Sequence, residues 1–150
     1  MDKEEKESLK NLIVYFGCTI PHLQEVKLDK LIYIAQLYHY SNYGKLLTKL
    51  PFFSFSYGPH APAIRSVIKE QLKSNAIYLE KCLTETEPAY SNPCLIIRSR
   101  ESKEEELSEP CLNTMTEVIQ DWRDILSDRY LIIPSELFPS FQLPIETTSI

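Results

Sequence analysis

The sequence predicts a mainly α chain with a small antiparallel β-sheet, an α+β fold built around one central apolar helix. Three observations carry this expectation. Apolar residues recur at helical spacing in four separate stretches, one stretch is apolar almost all round, and the period-two pattern of a strand is confined to short segments. At 150 residues and 17.5 kDa the chain has the size of one domain, so residues 1–150 are expected to share one core. A domain of that length buries roughly 68–70% of its unfolded surface and needs neither disulfides nor a metal to fold.

The first helix is expected from Lys3 to Phe16, with Leu9, Leu12, Ile13 and Phe16 on one face and Gly17 as its stop. The second, from Val26 to about Asn42, carries Leu28, Leu31, Ile32, Ala35, Tyr38 and His39 as one stripe. Ile34, Leu37 and Tyr40 make its other faces apolar as well, which places it at the centre of the fold. Gly44 ends it. Lys27, Asp29 and Lys30 read as its solvated first turn, although lysines there oppose the helix dipole.

Pro51 to Tyr57 alternates Phe53, Phe55 and Tyr57 with Ser54 and Ser56, the pattern of a half-buried strand. Tyr57 to Pro62 then reads as a turn into a third helix, Ala61 to Ser74, which buries Ile64, Val67, Ile68 and Leu72. Ile77–Glu80 and Cys94–Arg98 are expected to pair as a small sheet. An acidic linker spans residues 101–109, with five glutamates against Lys103. The fourth helix, Glu109 to Asp128, is amphipathic through Cys111, Met115, Val118, Trp122 and Ile125, broadened by Leu112, Ile119 and Leu126. Pro134, Pro139 and Pro144 bar a long helix from the tail, residues 131–150, and leave room for a short helical turn at Pro134–Phe138.

Composition narrows the function. Asp and Glu total 21 against 16 Lys and Arg, for a net charge of −5, the wrong overall sign for coating nucleic acid. The opening MDKEEKESLK lacks the basic region of a secretory signal, and the longest apolar run, Leu12 to Phe16, is far short of the ~20 residues of a membrane helix. A cytoplasmic chain with no membrane partner is therefore expected. Cys18, Cys82, Cys94 and Cys111 show no CxxC spacing and read as reduced thiols, with no metal site. Three glycines cannot write a phosphate loop or a dinucleotide fingerprint, and no GxSxG or HExxH pattern is present. No cofactor and no enzymatic activity are expected. His22, His39 and His60 stand far apart; His39 reads as a packed or hydrogen-bonded surface histidine, and His60 as a helix-start residue exposed to water.

The one excess is aromatic: nine Tyr, six Phe and one Trp, with eight of them crowded between Tyr33 and Tyr57. That is more than one buried face needs, and exposed Tyr and Phe are the anchors of protein interfaces. Stacking on single-stranded nucleic acid would need an accompanying basic groove.

Lys27-Leu28-Asp29-Lys30-Leu31-Ile32-Tyr33-Ile34-Ala35-Gln36, then Gly44, then Phe52-Phe53-Ser54-Phe55-Ser56-Tyr57-Gly58-Pro59, resembles the Panacea antitoxin domain, the group of SocA-like and phage-associated GepA-type proteins. It departs from that pattern at His60, where a small aliphatic residue is usual, and at Arg65, where an aromatic is common. The resemblance implies a non-enzymatic binding module that neutralises a toxin-like protein by direct contact, or an adaptor that delivers such a client to a protease. The surface expected to meet that protein partner is Tyr33, Tyr40, Tyr43, Phe53, Tyr57, Gly58, Pro59 and His60. A second reading is a nucleic-acid-associated regulator that uses Arg65, Lys69 and Lys73, at i, i+4, i+8 on the third helix, together with Lys27 and Lys30.

Overall fold

The computed structural model describes residues 3–50, 52–55, 58–82, 94–102, 104–126 and 145–146. In chain order these form α1 (Lys3–Thr19), α2 (Glu25–Tyr43), β1 (Phe52–Phe55), β2 (Gly58–His60), α3 (Pro62–Lys73), β3 (Ile77–Cys82), β4 (Cys94–Ser99), a 3-10 turn (Glu104–Glu106), α4 (Glu109–Leu126) and β5 (Ile145–Glu146). The mainly α fold with small sheets is as expected.

Helix α2 occupies the centre, with α4, β2 and β4 packed around it. Leu28, Leu31, Ile32 and Ala35 are fully buried, and Tyr33, Ile34 and Leu37 nearly so. A helix wrapped on several sides needs apolar residues on several faces, which is why its sequence shows so little polar stripe. Gly44 closes it in the left-handed region (φ 68°), donating its N–H to Tyr40 O at 2.8 Å.

The expected solvated turn at the start of α2 is corrected: Lys27, Asp29 and Lys30 are 2%, 6% and 7% exposed. The reason is tertiary. The β3–β4 hairpin docks beside the entry to this helix, with Ile97 N–H donating to Leu23 O at 2.7 Å, so the first turn of α2 lies inside the molecule.

Gly17 is also corrected, from helix stop to helix contact. Helix α1 runs through it to Thr19, whose hydroxyl donates to Tyr15 O at 2.8 Å. Strand β4 crosses against this point, Ser99 Oγ donating to Val14 O at 2.7 Å, and a Cβ on Gly17 would collide with that same Ser99 Oγ. An alanine at this position gains about 1 kcal/mol of helix propensity and meets an overpacking cost of about 1–3 kcal/mol. Gly17→Ala is thus expected to lower the melting temperature. Adding Ser99→Ala should recover part of the loss, a non-additivity readable by thermal denaturation.

The strand expected around Phe53 is present as β1, but its core residue is Phe52, 3% exposed, with Phe53 half-buried. Phe52 meets Tyr33 edge to face, ring centroids 5.3 Å apart. Gly58–His60, read from sequence as part of a turn, instead form β2, antiparallel to β1 with Phe53 opposite His60. Pro59 is tolerated because β2 is the edge of its sheet, where a missing N–H breaks no inner ladder. On the other edge of β1 lies β5, parallel, pairing Phe52 with Ile145. This sheet is therefore mixed, and β5 is a strand the proline count did not anticipate. The remaining sheet is the expected antiparallel pair, β3 with β4, in register from Ile77–Ser99 to Cys82–Cys94. The helical turn expected at Pro134–Phe138 lies outside the described residues.

Helix α3 begins at Pro62 and buries Ile64, Val67 and Ile68 against α1. Helix α4 turns Met115 and Val118 into the core, with Trp122 packed on its edge. A polar seam joins it to α2: Trp122 Nε1 donates to Tyr38 Oη at 3.1 Å, Tyr38 donates to Asp121 Oδ2 at 3.0 Å, and Asn42 donates to Glu117 at 2.8 Å. Among the described residues no helix is long and apolar enough to cross a membrane.

Candidate partner-binding surface

Helix α2 leaves its apolar surroundings at its last turn. Tyr40 and Tyr43, at i and i+3, share a face there and are 44% and 41% exposed. Both therefore offer ring surface beyond what the core uses. Beside them opens a cleft of about 440 Å³, walled by α1 through Ser8, Asn11 and Leu12, by Tyr43 and His39, and by the 3-10 turn and start of α4 through Glu106 and Cys111.

His39, expected from sequence to be a packed or hydrogen-bonded surface histidine, is packed and hydrogen-bonded but lies buried, because α4 covers this side of α2. It is 8% exposed, its Nδ1 lies 2.8 Å from Thr114 Oγ1, and its ring tilts against Tyr43 at 4.9 Å. Burial disfavours the imidazolium and holds the His39 pKa below its ordinary value of 6.5. The unfolded chain then takes up this proton at a higher pH than the folded one. The stabilisation is complete above about pH 6.5 and is lost as pH falls from there through the folded value. The melting temperature is expected to fall between about pH 7 and pH 5, and less steeply in His39→Asn. Burial also raises the Cys111 thiol to about 11, so at neutral pH it stays protonated and a poor nucleophile.

The other expected interface residues separate. Tyr33 is 3% exposed and packed edge to face against Phe52, so it serves the core and is withdrawn from the surface. It also sits ten residues, about 15 Å of helix, from Tyr43. Phe53 is half-buried in β1, Gly58, Pro59 and His60 form the edge strand β2, and Tyr57 lies outside the described residues. The aromatics expected as one surface thus fall at two levels of α2.

Of the residues weighed as a basic face, Arg65, Lys69 and Lys73 are exposed along α3, with Arg65 Nε bound to Glu25 Oε1 at 2.8 Å. Lys27 and Lys30 are buried and do not join them.

Sequence reasoning also passed over Gln36. Its amide clasps one peptide group of the segment after α2: Nε2 donates to Thr48 O at 2.6 Å, and Thr48 N–H donates to Oε1 at 2.9 Å, all buried. A glutamine among apolar neighbours on an otherwise buried helix was the available signal, since such an amide must find partners.

The sequence model described as antitoxin SocA-like, Panacea domain, matches residues 28–132. The chain belongs to that family. The matched stretch of this Panacea domain runs from the first turn of α2 past the end of α4, so it includes Tyr40, Tyr43 and His39, whereas the α1 wall of the cleft precedes it. No curated protein and no solved structure matches the chain.

Proposed function

We propose that this Panacea domain, acting as one unit over residues 1–150, binds a toxin-like protein and neutralises it by direct contact, without catalysis. The observation that carries the reading is the pair Tyr40 and Tyr43, exposed on a single face beside an open cleft, in a chain of an antitoxin-like family. Aromatic rings anchored on a rigid helix bury large area at little entropic cost, which suits them to the centre of an interface. Phe53, Tyr57 and the Gly58-Pro59-His60 strand form a second part of the contact in this reading. Delivery of the bound protein to a protease is its adaptor form, and the cytoplasm is its compartment, where the cysteines stay reduced.

Affinity purification of the tagged chain at low and high salt, identifying both protein and nucleic acid, tests the reading. One stoichiometric protein that survives high salt is expected, with an interface of roughly 1,200–2,000 Å². Nucleic acid that is recovered at low salt and lost at high salt would overturn it in favour of Arg65, Lys69 and Lys73.

A further inference from the structure

Strand β3 pairs with β4 on one edge and with no described strand on the other. Arg100 N–H donates inward to Ala76 O at 3.3 Å, whereas Ile97 N–H turns away from β3 to Leu23 O at 2.7 Å. Antiparallel pairing alternates from there, so the peptide groups of Tyr78 and Glu80 face β4 and those of Ile77, Leu79 and Lys81 face outward. No described residue bonds to these outward groups, and Tyr78, Leu79, Glu80 and Lys81 are all exposed. An edge of this kind is a template for one more strand.

One face of that edge is also a wall of a second cleft, of about 470 Å³, between α3 and the hairpin. Ile68 and Leu72 line it from α3, and Leu79, Leu95 and Ile97 from the hairpin. Leu79 and Leu95 remain 41% exposed. A strand laid along β3 turns every second side chain to the Leu79 face, beside this apolar wall. Charge indicates what else it carries. Arg65 and Glu25 satisfy each other at 2.8 Å, and Lys69 is the remaining charge on the lining, with no ion pair among the described residues. Lys81 stands exposed two residues past Leu79, hence on the same face of β3. A second copy of β3 would turn Ile77, Leu79 and Lys81 to that face, adding a lysine where the charge calls for a carboxylate. Self-pairing thus leaves Lys69 and Lys81 unanswered.

We propose that the free edge of β3 receives an extended segment of a protein, paired antiparallel, which turns apolar and acidic side chains to the Leu79 face, the acids answering Lys69 and Lys81. Main-chain hydrogen bonds to Leu79 and Lys81 hold such a segment, and the cleft and the two lysines select its side chains. Tyr78 and Glu80 occupy the opposite face and take no part in that selection. The cleft meets α2 at its first residue, Glu25, fifteen residues or about 22 Å of helix from Tyr40. This docking site is therefore separate from the surface proposed above and stands without it.

The test uses the peptide acetyl-Thr-Asp-Thr-Val-Thr-Val-Thr-amide as the probe and follows the backbone amide resonances of the intact chain. Laid antiparallel on β3, it sets its aspartate across from Lys81 and its valines across from Leu79 and Ile77. Titration should shift the Leu79 and Lys81 amides saturably, with a Kd on the order of 0.1–1 mM. Hydrogen exchange should slow at those two amides and change little at Tyr78 and Glu80, which β4 already holds. N-methylation of the valines removes the N–H groups turned to β3 and should abolish binding; N-methylation of the threonines between should be tolerated. Asparagine in place of the aspartate should weaken binding about threefold or more. Lys69→Glu combined with Lys81→Glu, both at exposed positions where folding is not at stake, should weaken it at least about fivefold. No saturable shift, equal binding of the valine-methylated or asparagine peptide, or an unaffected double variant would each overturn the inference. Leu79 and Lys81 amides already protected in the free chain, with a dimer mass by light scattering, would overturn it in favour of self-pairing. The capture experiment can succeed while this titration fails, so the two readings fall separately.

Discussion

Replacing Gln36 by leucine is expected to lower stability by about 2–6 kcal/mol, although the new side chain is apolar and the site is buried. The glutamine amide satisfies both polar groups of the Thr48 peptide, accepting its N–H and donating to its C=O. Leucine removes both partners and leaves an N–H and a carbonyl without water, at about 1–3 kcal/mol each. For a chain of this length that is a fall of about 4–24 °C in melting temperature. Thr48→Ala is the informative companion, because the bonds run to the Thr48 backbone and survive its truncation; a loss of no more than about 1 kcal/mol is expected there. Thermal unfolding followed by circular dichroism reads both. Equal losses in the two variants would show that packing at Thr48, not the amide clasp, holds the segment.

Tyr40→Ala and Tyr43→Ala are each expected to weaken the complex with the protein partner by about 2 kcal/mol, about 30-fold in Kd. Stability should change far less at Tyr40, which is 44% exposed, than at Tyr43, whose ring also lies against His39. Tyr78 supplies a matched control: it is 37% exposed on the β3–β4 hairpin, with the Arg100 guanidinium 4.7 Å from its ring centroid. Its alanine variant should bind normally. A complex that tolerates both α2 substitutions and loses affinity at Tyr78 would move the interface to the hairpin.

The two tyrosines also show how far a sequence carries such an argument. That some aromatics between Tyr33 and Tyr57 must be exposed follows from their number, because one buried face cannot hold them all. Which ones follows only from packing. Tyr33 and Tyr40 stand seven residues apart on one helix and look equivalent by periodicity, yet Phe52 of β1 covers the first and nothing among the described residues covers the second to that extent. Lys27 and Lys30 mislead in the opposite sense. Charge at a helix start ordinarily means solvent, yet here both lysines are buried, with the β3–β4 hairpin docked beside Leu23 at the entry to α2.

Periodicity alone determined the existence, order and approximate bounds of the four helices and the central place of α2. These properties are set by which residues a local backbone turns to one side, and the spacing of apolar residues records that directly. The αL stop at Gly44 was equally legible, since it depends on one residue's own conformational freedom. The tertiary structure decided the rest. Gly17 has no Cβ because Ser99, distant in sequence, arrives against it; β1 gains β5 from the far end of the chain; Gln36 reaches back to Thr48; and His39 meets Thr114 on another helix. Each of these depends on two segments meeting, and a pattern read along one segment contains no record of its partner.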